Sequence, residues 1–190
     1  MKGKIESAIE YLKQALEETD VNPERGLGEK LFLFTSMLTP IVNVDLLIMN
    51  EKKEILLSWR DDTVCGKGWH IPGGCLRLKE TLQMRIHKCA VSELGSDVYV
   101  EDMPLLIKEN IAGVTESGSG LSQTERSHFI SFLFECSIVD LNKLKNCDGK
   151  QKKGHLGWFD YIPDDFLKLQ YFYLDFINNW FQEKRNGYGI

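Results

Sequence analysis

The stretch from Gly68 to Val98, GWHIPGGCLRLKETLQMRIHKCAVSELGSDV, constrains the fold more than any other part of the chain. An apolar run ends on the Pro72-Gly73-Gly74 turn, a short loop follows, and a helical pattern starts near Thr81. Leu82, Ile86, Ala90 and Leu94 recur at every fourth position, which gives one buried stripe on a helix that Gly95 is placed to end. Strand, glycine turn, loop and helix in that order form a scaffold for a phosphate-bearing ligand.

The whole chain has 190 residues, a length that suits a single domain with a core needing no metal or disulfide support. A net charge of −5 argues against non-specific binding to nucleic acid or to an anionic membrane, since both call for a basic surface. The five cysteines, Cys65, Cys75, Cys89, Cys136 and Cys147, show no paired short spacing of the zinc-site kind, and reduced thiols are expected. The front of the chain has no charged start followed by an apolar run and a cleavage site, and no segment approaches the ~20 apolar residues of a membrane span. A cytoplasmic protein is the expectation.

The box has a counterpart among known proteins. Gly74, then Glu80 six residues on, then the Ser92-Glu93-Leu94-Gly95 close, resembles the Nudix box of the Nudix hydrolases. Gly74, Glu80, Ala90, Glu93 and Gly95 are in register with the family pattern, whereas Lys88 replaces its arginine, Cys89 the next glutamate, Ser92 the first of the paired glutamates and Ser96 an apolar residue. Positions 89, 92 and 93 are three or four residues apart, so carboxylates at all three would converge on a hard cation. Glu93 alone remains. With a backbone carbonyl such as that of Gly73, substrate phosphates and water, it can still hold Mg²⁺, though more weakly. Ordinary pyrophosphate hydrolysis is therefore expected to be impaired.

The GDP-mannose mannosyl hydrolases, a branch of that family, lack the same two glutamates and attack the sugar carbon instead of phosphorus. The likeness extends upstream to Pro40–Asp45 and Ile55–Arg60 and covers roughly residues 38 to 165. It implies an α/β fold, a Nudix-type α/β/α sandwich with a mixed β-sheet and an added N-terminal helix. Residues 1–37 would be a helical extension and residues 38–184 the Nudix domain. The implied chemistry is Mg²⁺-dependent hydrolysis of a nucleoside diphosphate sugar, GDP-mannose-like, by a homodimer.

Site residues follow from the same resemblance. Asp45, within a strand, either pairs with a basic group or points into a polar cleft, where its counterpart touches substrate. Arg60, at a strand end, either grips phosphate oxygens or is neutralised by Asp61 and Asp62. Lys88 would help offset leaving-group charge. The branch supplies an adjacent Gln-His pair from a loop before the last strand, and Gln151 and His155 stand nearest to it here. His155 is the expected general base, since a pKa near ~6.5 lets it take a proton from water at neutral pH. If Lys153 takes the base position instead, it stays protonated unless buried and suits phosphate binding better. His70 and His128 are expected in packing or hydrogen bonds, and His87 facing solvent. Two rival readings remain open: cleavage between phosphates, with Glu80, Glu93 and a carboxylate such as Glu116 or Glu125 rebuilding a metal cluster, and a non-catalytic nucleotide-binding module.

Outside the box, Ile5, Ile9, Leu12 and Leu16 make an amphipathic helix over residues 3 to 18, and a second short helical or irregular piece spans residues 28 to 37. The first stripe is expected to pack on the core, cover the cleft or mediate dimerisation. Residues 41–50 and 54–60 read as a β-hairpin across Asn50-Glu51-Lys52-Lys53. Further strands are expected at residues 98–100, 105–112, 128–136 and 157–159, with a mobile Gly/Ser loop at residues 115–122. A core helix capped by Asp164 or Asp165 is expected to run to Lys184.

Overall fold

Strand β1 (Ile41–Ile48) sits at the centre of the fold, and its sequence, IVNVDLLI, says why. Asn43 to Ile48 are all buried, as in strands covered on both faces. Val44, Leu46 and Ile48 point into one core cluster, and Leu47 points into another. The computed structural model describes residues 2–19, 22–24, 26–62, 65–111 and 128–186.

β1 lies between β4 (Gly73–Cys75), antiparallel to it, and β7 (His128–Ile138), parallel to it. β5 (Val98–Val100) and β6 (Leu106–Ile111) both pair antiparallel with β7, completing a five-stranded mixed sheet. A second sheet, three-stranded and antiparallel, runs in the order β3 (Gly66–His70), β2 (Ile55–Asp62), β8 (Leu156–Phe159). The first core cluster joins the two sheets through Val44, Leu46 and Phe134 from one and Leu56 and Leu156 from the other.

Helix α3 (Leu82–Cys89) and the turn after it fill that cluster with Ile86, Ala90 and Leu94 of the stripe foreseen from the sequence, with Leu82 partly buried against it, and with Cys89, which was not part of that stripe. Each fully buried large aliphatic there contributes roughly 2 kcal/mol. Thr81 caps its start, the side-chain oxygen accepting from the Met84 N–H at 3.1 Å. The last turn, Ala90–Leu94, widens to a π-helix, and Gly95 closes it with φ of 88° and its N–H on the Ala90 carbonyl at 3.2 Å. On the other side, α4 (Leu174–Arg185) packs Ile177, Trp180 and Phe181 against Leu47, Leu57, Trp59 and Trp69. Helices cover both faces, as the sandwich expectation required.

Three local expectations are corrected. The turn after β1 forms, with the Asn50 N–H on the Glu54 carbonyl at 3.0 Å, but β1 and β2 diverge into different sheets instead of pairing as a hairpin. Each strand finds longer ladders elsewhere. The C-terminal helix begins at Leu174, not near Asp164, because Leu167 is extended, bonding its N–H to the Trp69 carbonyl at 2.7 Å, and residues 168–173 form a 3₁₀ turn. Tertiary contacts override local helical pattern there. Helix α1 (Lys2–Glu18) leaves Ile5, Ile9 and Leu12 of its apolar stripe exposed, so this stripe is no part of the core. Helix α2 (Gly28–Ser36) does form. Ala112, the loop at residues 115–122, Glu116 and Glu125 lie outside the described residues. No helix among those described is long and apolar enough to cross a membrane, and no disulfide joins any of the five described cysteines.

Candidate functional site

A cleft of about 630 Å³ opens beside β1 where β3, β4 and the widened end of the box helix meet. The segment from Pro23 through α2 forms one wall, with Leu27 and Phe32 among its lining. Asp45, Arg60, Gly73 and Glu93, four of the residues expected at the site, line this cleft together, although they come from three strands and a helix end. Lys88, Gln151 and His155 do not line it.

The floor is built by close approach. Gly73 stands opposite Asp45 across the β1–β4 ladder, and a Cβ on Gly73 would fall 2.3 Å from the Val44 carbonyl oxygen and 2.6 Å from Asp45 Oδ1. Only glycine allows this crossing. Asp45 is buried and held from the far end of the chain: the Tyr173 hydroxyl donates to Oδ2 at 2.8 Å, and Gln170 Nε2 donates to Oδ1 at 3.2 Å. Gln170 Oε1 in turn accepts from the Ile71 N–H at 2.7 Å, which fixes the amide. Burial, then the Asp45 charge, drives the Tyr173 pKa well above its ordinary value, so the phenol stays a donor.

Arg60 lies on the cleft face of β2, within 3.4 Å of Asp62. Burial lowers its pKa, while Cys65, Glu93 and Asp62 raise it past the ordinary value, leaving a permanently charged guanidinium in the wall. Arg85, from α3, lies against Gly74: a Cβ there would be 2.7 Å from its NH2 nitrogen. Its Nε is buried with no hydrogen-bond partner. Two guanidinium groups thus face a concave wall, the geometry that bidentate phosphate recognition uses.

Glu93 and His70 face each other. Glu93 Oε2 and His70 Nε2 are 3.6 Å apart, both buried and both without a hydrogen-bond partner. His70 Nδ1 is 2.7 Å from the Ser58 carbonyl oxygen, which can only accept, so Nδ1 carries a hydrogen and Nε2 is the ring nitrogen left facing Glu93. The sequence reading put His70 in packing or in a hydrogen bond, and the ring makes one with Ser58, but that reading missed the ring's second nitrogen. A signal was available: Trp69 on β3 points into the second core cluster, so strand alternation turns its neighbour His70 to the opposite face. Nothing local to Asp45 signalled Gln170 or Tyr173.

The remaining box positions have other work. Cys89 is 1 % exposed in the first core cluster, and burial pushes its thiol up to about 12, so a neutral thiol stands where the family carries a carboxylate. Ser92 is exposed, its hydroxyl on the Cys89 carbonyl at 3.1 Å. Glu80, 2 % exposed, is taken up by Lys88 Nζ and the Arg77 N–H, both at 2.9 Å, and by Arg85. Lys88 is thereby spent on Glu80. His155 Nδ1 lies 2.7 Å from Asp148, and Gln151 donates to Asp165. The His155 carbonyl also accepts from the Trp59 N–H, so His155 stands opposite Trp59, whose side chain is in the second cluster, while Arg60 lines the cleft.

No group of three or more His, Cys, Asp or Glu side chains suited to a metal ion occurs among the described residues. The orphaned Glu93 oxygen, in the cleft that Gly73 also lines, still fits a divalent cation that takes its other ligands from water and phosphate.

Comparison with known proteins bears on this arrangement. No family model matches the chain. A curated relative, the low-salt glycan biosynthesis protein Agl8 of Haloferax volcanii, is 31 % identical over 106 residues, covering 54 % of this chain and 62 % of the relative's length. Among solved structures, a UDP-X diphosphatase aligns over 96 % of this chain and 83 % of its own, with a TM-score of 0.53 and 18 % identity. A MutT protein from Methanosarcina mazei aligns over 75 % and 96 %, with a TM-score of 0.51 and 20 % identity. The chain has the Nudix fold. At these identities the likeness to solved structures concerns the fold alone. Within the Nudix fold, the cleft described here lies between the glycine turn and the end of the box helix.

Proposed function

We propose that the chain is a cation-dependent hydrolase of a nucleoside diphosphate sugar that breaks the bond between the sugar carbon and the diphosphate oxygen. The observation that carries this reading is the charge pattern of the cleft: Asp45, Arg60 and Glu93 converge, while two of the three box positions that would build a carboxylate cluster hold a neutral thiol and a hydroxyl. A cation on Glu93 and the Gly73 carbonyl would neutralise the diphosphate, making it a better leaving group. Arg60 offsets charge on the departing nucleoside diphosphate, and Arg85 stands beside it. Asp45, held by Tyr173 and Gln170, is placed to face the positive charge that builds on a sugar carbon as its C–O bond stretches. Departure of a stabilised leaving group with a carboxylate in attendance asks less of a strong base. The name of the Haloferax relative, a glycan biosynthesis protein, agrees with a sugar-nucleotide substrate.

Water labelled with ¹⁸O tests the reading. Purified protein is incubated with GDP-mannose and other nucleotide sugars and a divalent cation, and products are followed by ³¹P NMR. Intact, unlabelled nucleoside diphosphate with label in the sugar is the expected result. Labelled nucleoside monophosphate would mean cleavage between the phosphates, the reaction that the name of the UDP-X diphosphatase neighbour suggests for that protein. Binding without turnover of any of them would leave a nucleotide-binding module.

A further inference from the structure

We propose that His70 is a nitrogen ligand of the cation site centred on Glu93, and that it makes the site select a borderline first-row cation, Co²⁺ or Zn²⁺, over Mg²⁺. The inference rests on the reading that Glu93 holds the cation. Both donor atoms are bare: His70 Nε2 and Glu93 Oε2 are buried without hydrogen-bond partners. Their separation of 3.6 Å is too long for a hydrogen bond. It is close to the ~3.4 Å edge of a tetrahedron with metal–ligand bonds of ~2.1 Å, so one ion fits against both with little side-chain movement.

The support behind the ring is of the kind a ligating histidine has. Nδ1–H is donated to the Ser58 carbonyl at 2.7 Å, which fixes the ring plane and leaves Nε2 as the nitrogen turned to Glu93. Ser58 and His70 are directly paired across the β2–β3 ladder, so the donor and its support move as one unit. His70 is 4 % exposed and has no room to turn away.

Selectivity follows from the donor set. Mg²⁺ prefers oxygen ligands and keeps its water, whereas in this cleft Asp45 is already engaged by Tyr173 and Gln170 and the charge of Glu93 is already felt by Arg60. Imidazole nitrogen suits Zn²⁺ and its neighbours, and affinity rises along the first row. Loss of carboxylates at Cys89 and Ser92 together with gain of an imidazole at His70 therefore changes which ion the site prefers as well as how tightly it binds.

The test uses the whole chain without substrate. Calorimetric titration is expected to give Co²⁺ at least tenfold tighter than Mg²⁺, and proton NMR of the Co²⁺-loaded protein should show a strongly shifted, exchangeable imidazole N–H. His70→Gln and His70→Asn should each lose that resonance and weaken Co²⁺ about 10- to 100-fold while leaving Mg²⁺ within threefold. Co²⁺ bound without a shifted imidazole proton, or with unchanged affinity in both variants, overturns the proposal and leaves His70 and Glu93 as an ion pair. Equal affinity for both ions in the unmodified protein overturns the selectivity, a comparison that needs no variant to fold. Unchanged affinity for both ions in Glu93→Gln would overturn the cation site itself, and the His70 assignment with it.

Discussion

The two box glutamates, at opposite ends of the same helix, have opposite environments. Glu80 is almost wholly buried and satisfied by a backbone N–H, an ammonium and a guanidinium. Glu93 is partly open to the cleft, with one oxygen buried and unpaired. A carboxylate whose lone pairs are filled by its own chain ties a loop to a helix; one left unfilled at a cavity wall is available to a ligand. The same contrast divides the histidines, since His155 is committed to Asp148 whereas His70 keeps a bare nitrogen in the cleft.

The largest effect should come from Glu93→Gln. Divalent-cation affinity is expected to fall about 100-fold and metal-dependent turnover to be lost, with folding stability changed by no more than ~0.5 kcal/mol. Calorimetry and thermal melts on one preparation check both halves. A large stability loss with cation binding retained would make Glu93 a second Glu80.

Glu80→Gln should do the reverse, costing about 2–3 kcal/mol of stability while leaving cation affinity within twofold. Burial raises the Glu80 pKa, but the Lys88 hydrogen bond, the Arg77 N–H and Arg85 lower it further, for a net shift below the ordinary value. A carboxyl depressed in the folded state stabilises above its unfolded pKa of ~4.3, and that contribution is lost as pH falls through the lower folded value. The stability difference between the two proteins should therefore be constant near neutrality and shrink below about pH 4; denaturant unfolding across pH 7 to 3 measures it.

Lys88→Met probes whether the lysine serves Glu80 or the substrate. Its side chain is half exposed, so less than ~1 kcal/mol of stability is expected to be lost, and KM should stay within threefold. A tenfold rise in KM with stability intact would bring Lys88 back to the site.

The smallest change is expected from His155→Gln. With the ring bound to Asp148 outside the cleft, kcat should stay within about threefold, whereas loss of a general base costs ~10²–10⁴. A fall of that size would restore the base role drawn from the family resemblance and require the loop to move.

Much of this was legible in the chain. The stripe of Ile86, Ala90 and Leu94, the cap at Thr81 and the stop at Gly95 are all local signals, since helix period and turn chemistry depend on neighbours a few residues away. Asp45, Arg60, Gly73 and Glu93, named through resemblance, line one cleft, whereas Lys88, Gln151 and His155 do not line it. The hairpin does not extend past its turn because β4 and β7 take the two edges of β1, while the two core clusters bury its two faces. The late start of α4 has a similar cause, since Phe166 and Leu167 are drawn to Trp69.

The sequence by itself determined where the box helix begins and ends, that Ile86, Ala90 and Leu94 are buried, and that carboxylates are missing at Cys89 and Ser92. Only the tertiary structure decided which polar groups are satisfied. Glu80 and Glu93 carry the same chemical group, and so do His155 and His70; what separates them is the partner that each meets. Those partners, Lys88 and Arg77 for Glu80, Asp148 for His155 and Ser58 for one nitrogen of His70, are brought close by the folded arrangement of turns and strands, and the atoms left without one mark the site.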